Sequence, residues 1–177
     1  MFAPERYSAA LQLAIRCHGA QQVPGTQLPY LAHITWVTGE LIAALPDSGF
    51  DGDLAVTCAL LHDTIEDSQV PGIADEIERQ FGTPARAGVL ALTKDATLPK
   101  ADRMPDSLRR IRSQPREIWA VKLADRITNL ATPPKHWTIE KCIGYRAEAI
   151  TILEALGEAN VKLATRMRAR IAAYPSL

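Results

Sequence analysis

The sequence predicts an all-α protein, a single helical bundle of about eight to ten helices. Proline costs about 3 kcal/mol or more inside a helix, and the twelve prolines cut the chain into intervals of apolar residues at three- and four-residue spacing. No stretch sustains the period-two alternation of a half-buried strand. At 177 residues, without repeat, low-complexity tract or linker, residues 1–177 read as one domain. Domains run at about 150 residues each.

Each element follows from this segmentation. Residues 5–21 place Leu11, Ala14, Ile15 and Cys17 or His18 on one helical face. Residues 33–45 do the same with Val37, Leu41, Ala44 and Leu45. "LAVTCALLHDTIED", 54–67, reads as one buried helix, capped by Asp51 or Asp53 and ending in four ionisable side chains. After Pro71, "IADEIERQFG" is amphipathic and stops on Gly82. Residues 84–93 and about 105–113 are shorter helices. "REIWAVKLADRITNLAT", 116–132, is a longer one, stopped by Pro133 and Pro134. The interval 135–174 holds two helices, the first beginning at His136–Trp137, with a break near Gly157–Asn160.

Composition removes several classes of function. Lys+Arg and Asp+Glu both total 20, so no broad field draws the chain to nucleic acid or an anionic membrane. Lys162, Arg166, Arg168 and Arg170 make the last helix basic, but no aromatic residues interleave to stack on bases, which favours a solvated face. Glu5, Arg6 and Arg16 interrupt the N-terminal apolar residues, excluding a signal-peptide core or membrane span there. Cys17, Cys58 and Cys142 are odd in number and scattered, as expected of reduced core thiols in a cytoplasmic protein. The expected partner is a small molecule, with homo-oligomerisation left open.

The chemistry concentrates in "LLHDTIED". His62, Asp63, Glu66 and Asp67 follow an apolar run, and no Lys or Arg lies between 51 and 78 to offset them. A solvated helix edge normally mixes both signs; acids without a base favour a cation site. His33 shares a face with Val37 and Leu41, and Asp125 shares a stripe with Ile118 and Val121, so both point inward. Singly, His33 reads as a hydrogen-bonded core histidine, and Asp125 as a carboxylate paired with Lys122 or Arg126. Together, two imidazoles and two carboxylates make a mixed nitrogen and oxygen set suited to Mn²⁺, Fe²⁺ or Zn²⁺ rather than Ca²⁺ or Mg²⁺. Glu66 and Asp67, one turn on, suit general acid/base or water-orienting work. His18 reads as a core histidine, and His136 and Trp137 as packing residues.

"PYLAH", "HDTIED" and "KLADRITNL", in that order, resemble the HD superfamily of metal-dependent phosphohydrolases. "HGAQ" at 18–21, "LTKD" at 92–95 and "LPK" at 98–100 extend the resemblance to the hydrolase domain of RelA/SpoT homologues and the small alarmone hydrolases of the stringent response. It spans roughly residues 5 to 157. It implies removal of the 3′-pyrophosphate from (p)ppGpp, typically with manganese, giving GDP or GTP and pyrophosphate. By that resemblance the metal ligands are His33, His62, Asp63 and Asp125, the catalytic pair is Glu66 and Asp67, and Lys100, Asn129, Lys141 and Tyr145 meet the substrate. Lys141 stands where the family often has arginine, keeping the charge without the bidentate fork.

One departure concerns the substrate. Members of the family carry basic residues after the early histidine motif, whereas 19–32 here has no positive charge. Arg16, Lys94, Arg103, Arg109 or Arg110 are the bases available to replace that clamp. The same departure leaves open another nucleotide or phosphorylated metabolite as substrate. A non-catalytic metal-bearing module is the remaining alternative, and the retained Glu66 and Asp67 argue against it.

Overall fold

In the computed structural model, which describes residues 1–68 and 70–175, the expected all-α architecture holds. The helices are α1 (Pro4–His18), α2 (Leu31–Ala44), α3 (Gly52–Leu61), α4 (Thr64–Asp67), α5 (Ile73–Phe81), α6 (Thr83–Leu92), α7 (Lys100–Arg112), α8 (Arg116–Asn129), α9 (Ile139–Leu156) and α10 (Val161–Ala173). A single 3₁₀ turn, Gly157–Ala159, joins the last two at the expected break. No strand occurs among the described residues; the pairing of Gln22 with Pro29 is an isolated bridge.

Two helices form the centre. α3 is apolar all round and buried along nearly its whole length, which is what a helix without a polar face must do. α8 is buried from Ala120 through Arg126 and packs against α2, α3 and α10. Around them, α1 and α2 cover one side of α3, α6 the other, and α9 and α10 close over α8. Burial of Leu60, Leu61, Leu123 and Ile127, all fully shielded, stabilises by about 1.5–3 kcal/mol per side chain. Among the described residues no helix is long and apolar enough to cross a membrane. All three cysteines are free.

α3 starts where Asp51 accepts the backbone N–H groups of Asp53 and Leu54. Asp53 is not the cap; it accepts the N–H of Ala3 and fastens the N-terminal segment. α5 stops at Gly82, whose φ of 86° is a conformation that L side chains rarely adopt.

Four expectations need correction. The buried face of α1 is Ala10, Leu13, Ala14 and His18, rotated from the predicted stripe, and Ile15 is exposed. The helix ends at His18 rather than 21, because Gly19 with φ 45° turns the chain. α7 starts at Lys100 and runs through Pro105. The carbonyl that Pro105 leaves without a donor belongs to exposed Ala101, where water can satisfy it. His136 and Trp137 precede α9, whose cap is Thr138, accepting the N–H of Lys141. The fourth correction is functional: "LLHDTIED" is not one helix. α3 ends at Leu61, and Asp63, with φ −102° and ψ −1°, sits in a bend before α4.

Close packing among α3, α6 and α8 gives a test of the core. A Cβ at Gly88 would lie 2.5 Å from Cδ1 of Ile118 and 3.0 Å from Sγ of Cys58, both fully buried. Gly88→Val is expected to destabilise by about 1–3 kcal/mol through overpacking. Thermal unfolding should show Tm lower by about 2–4 °C per kcal/mol. An unchanged Tm would mean that these helices pack less tightly.

Candidate metal centre and active site

The site is built around the turn after α3. In an unbroken helix His62 and Asp63 would diverge by about 100°. Here the two lie in the turn that joins α3 to α4, and His62 Nε2 and Asp63 Oδ2 approach to 3.0 Å. His33, from the first turn of α2, brings its Nε2 to 3.3 Å from that of His62 and 3.7 Å from Asp63 Oδ2. Asp125, from the last turns of α8, places Oδ1 3.5 Å from His33 Nε2 and 3.9 Å from His62 Nε2. Both imidazoles and Asp125 are buried, and Asp63 is half-buried.

Each member is held by a partner outside the cluster. Nδ1 of His62 lies 2.8 Å from the carbonyl of Ala59, so that nitrogen carries a proton and Nε2 faces the cluster. Tyr30 donates its hydroxyl to Asp63 Oδ2 at 2.5 Å. Asn129 Nδ2 donates to Asp125 Oδ1 at 2.6 Å, and Lys122 Nζ to Asp125 Oδ2 at 3.0 Å. The pairing of Asp125 with Lys122 thus exists alongside its approach to the histidines.

Two Nε2 atoms 3.3 Å apart repel unless a proton or a cation lies between them. The carboxylates of Asp63 and Asp125 beside them attract positive charge, a proton or a metal cation alike. Burial alone would lower the pKa of His62, yet the Asp63 carboxylate, with Asp125 behind it, raises it to about 9. Burial would raise both carboxyls; His62 outweighs this at Asp63, and Lys122 at Asp125, so both lie below the ordinary range. For donors about 2.1 Å from one ion, separations are about 3.0 Å at a right angle and about 3.4 Å at a tetrahedral one. His33, His62 and Asp63 offer donor atoms mutually close enough for a shared metal ion, and Asp125 approaches both histidines. The donor set fits a divalent ion.

Beside this cluster opens a cleft of about 630 Å³. Asp67 and Glu66, from α4, stand at its edge in unlike settings. Asp67 is half-buried and accepts from Gln21 Nε2 at 2.9 Å. Its pKa is raised, first by burial, and further by Asp63 and Glu66 against the opposing Gln21 contact. Glu66 is exposed and tied to Lys94, accepting from its backbone N–H and from Nζ, each at 3.1 Å. Lys100, Asn129, Lys141 and Tyr145 all line the cleft. Exposed Lys100 and Lys141 lie on its rim, whereas Asn129 is already engaged with Asp125.

Several lining residues escaped the sequence reading. Arg126 is buried, stacks 4.1 Å from the Tyr145 ring and pairs with Glu148. Trp137 sits edge-on to Tyr145, with Lys141 Nζ 4.2 Å from its ring centre. Only their neighbours in the sequence signalled these two: Arg126 follows Asp125, and Trp137 lies one turn before Lys141. Of the bases named for the missing clamp, Lys94 lines the cleft. Arg16 pairs with Glu76, and Arg109 with Asp106. Arg103 donates to the carbonyls of Ala96 and Leu98, and Arg110 to those of Leu90, Ala91 and Thr93. The positive charge therefore comes from Lys94, Lys100, Lys122, Arg126 and Lys141 rather than from 19–32.

Known proteins share this arrangement of helices. The chain is 30% identical over 159 residues to the human guanosine-3′,5′-bis(diphosphate) 3′-pyrophosphohydrolase MESH1, covering 87% of this chain and 86% of that protein. The mouse MESH1 is 30% identical over 139 residues, 76% of this chain and 75% of the relative. The Drosophila melanogaster MESH1 is 27% identical over 169 residues, 92% and 90% of the two chains. A solved structure of a metazoan SpoT ortholog, described as hydrolysing ppGpp and acting in starvation responses, superposes with a TM-score of 0.83. That likeness covers 97% of both chains at 24% sequence identity and establishes the shared fold. No protein-family model matches the chain.

Proposed function

The chain belongs to the MESH1 family of guanosine-3′,5′-bis(diphosphate) 3′-pyrophosphohydrolases, small alarmone hydrolases of the HD superfamily, and from that premise we propose that it hydrolyses (p)ppGpp to GDP or GTP and pyrophosphate. The observation that carries the proposal is the convergence of two imidazoles and two carboxylates at the acidic end of a cleft whose other walls are basic and aromatic. His33, His62, Asp63 and Asp125 are the proposed ligands of a divalent ion, with Mn²⁺ preferred and Fe²⁺ or Zn²⁺ compatible with the donors. Such an ion lowers the pKa of water and offsets charge developing on phosphorus.

The chain's own groups supply the rest. Asp67, its pKa raised by burial, is suited to take a proton from the attacking water. Glu66 holds Lys94 at the mouth of the cleft, where its ammonium meets the pyrophosphate oxygens. Lys100 and Lys141 meet the remaining phosphates, and Asn129 reaches the substrate while keeping Asp125 aligned. Tyr145, backed by Arg126 and Trp137, offers an aromatic wall for the base. Residues 1–177 act as one domain, and the three free thiols support a cytoplasmic setting.

Incubation of purified protein with Mn²⁺ and a panel of phosphorylated nucleotides tests this. Release of GDP and pyrophosphate from ppGpp, with little turnover of the others, is expected. Turnover of another phosphoester in preference to ppGpp would replace the substrate, as the uncharged 19–32 segment would favour.

A further inference from the structure

A polar chain outside the metal cluster runs from buried His18 through half-buried Gln21 to Asp67. The last residue of α1, His18, is 3% exposed, and its Nδ1 lies 2.8 Å from Oε1 of Gln21. Gln21 in turn donates from Nε2 to Asp67 Oδ2 at 2.9 Å. The turn after α1 creates the pair: Gly19 adopts φ 45°, and the Gln21 N–H bonds back to the His18 carbonyl at 2.7 Å.

The directions of these bonds fix one another. A carboxylate only accepts, so Gln21 must turn its amide nitrogen to Asp67 and its oxygen to His18. That oxygen also only accepts, so His18 must carry its proton on Nδ1. Nε2 of His18 is buried without a hydrogen-bond partner among the described residues, so the Gln21 contact at Nδ1 is the one that orients the ring. The imidazole is clamped by Tyr30, 4.8 Å away between ring centres, and Tyr30 donates to Asp63.

We propose that His18 and Gln21 are positioning residues, which hold the Asp67 carboxylate in a single orientation toward the reacting water through the relay from His18 Nδ1–H to Gln21 Oε1 and from Gln21 Nε2–H to Asp67 Oδ2. The proposal rests on the reading of Asp67 as the water-handling group. It assigns the early "HGAQ" a function that packing alone does not require. A side chain that merely filled space would tolerate loss of these hydrogen bonds; one that aims a base would not.

Two measurements test the relay. Long-range ¹⁵N–¹H correlation on labelled wild-type protein reads the tautomer of His18 without turnover. The expected result is the Nδ1–H form, lost in Gln21→Leu. In kinetics, Gln21→Leu is expected to lower kcat about 10–100-fold at unchanged Mn²⁺ content, with KM for ppGpp moving by no more than about twofold. His18→Phe should behave alike, and His18→Asn, whose Nδ2–H can stand in for Nδ1–H, should recover part of the loss. Should His18→Phe fail to fold, half-buried Gln21 still carries the kinetic test. An Nε2–H tautomer in the wild type, an unchanged kcat in Gln21→Leu, or a loss confined to KM would each overturn the relay. Wild-type protein inactive on ppGpp would instead remove the substrate reading, and the tautomer would still decide the relay.

Discussion

Asp63→Ala is expected to empty the metal centre and reduce ppGpp hydrolysis by more than about 100-fold, beyond the 10–100-fold range typical of supporting partners. Oδ2 of Asp63 is the meeting point of the cluster: His62 Nε2 lies at 3.0 Å, His33 Nε2 at 3.7 Å, and the Tyr30 hydroxyl donates to it. Its removal takes away a donor atom and the nearest negative charge, leaving two buried imidazoles face to face with Asp125 alone to balance a cation. Elemental analysis after dialysis should show metal retained by the wild type and lost by the variant. Full metal retention by Asp63→Ala would remove this residue from the centre. Tyr30→Phe makes a milder companion, because it keeps the carboxylate and removes only one hydrogen bond to it.

Asp67→Asn is expected to lower kcat about 10²–10⁴-fold, the range for loss of a general base, while metal content and fold persist. The replacement keeps the shape of the side chain and abolishes its ability to take a proton. Glu66→Gln should lose less, because Glu66 is exposed and its carboxylate is engaged by Lys94. That variant is expected to act chiefly on KM, through a Lys94 no longer fixed at the mouth of the cleft. Parallel kcat and KM measurements separate the two roles. A larger kcat loss in Glu66→Gln than in Asp67→Asn would exchange them.

The fold was legible because proline marks helix boundaries strongly and the apolar spacing within most intervals is regular. α5 and the join between α9 and α10 fell where Gly82 and Gly157–Asn160 put them. The start of α7, at Lys100 rather than about 105, escaped because a proline near the exposed start of a helix costs little when the freed carbonyl faces water, as at Ala101. The α1 face was misjudged because a short stripe with apolar residues on neighbouring positions admits two orientations, and only contact with α3 selects one.

At the site, the inward direction of His33 and Asp125 could be read from their apolar neighbours one turn away. The bend at His62–Asp63 could not, since no glycine or proline marks it. Arg126 and Trp137 line the cleft through folding that brings distant segments together, and no local pattern distinguishes them from surface or packing residues; Gln21, marked in the sequence by "HGAQ", meets Asp67 from the segment after α1.

The central claim is that one water attacks the 3′-linked phosphorus of (p)ppGpp at this centre. The new bond joins the water oxygen to that phosphorus; the bond from phosphorus to the ribose 3′-oxygen breaks, and the 3′-oxygen takes up a proton. Hydrolysis of ppGpp in ¹⁸O-labelled water with Mn²⁺, followed by mass analysis of both products, tests this most directly. Label in the pyrophosphate and none in the GDP is the predicted outcome. Label in the GDP, or stepwise release of inorganic phosphate in place of pyrophosphate, would contradict it.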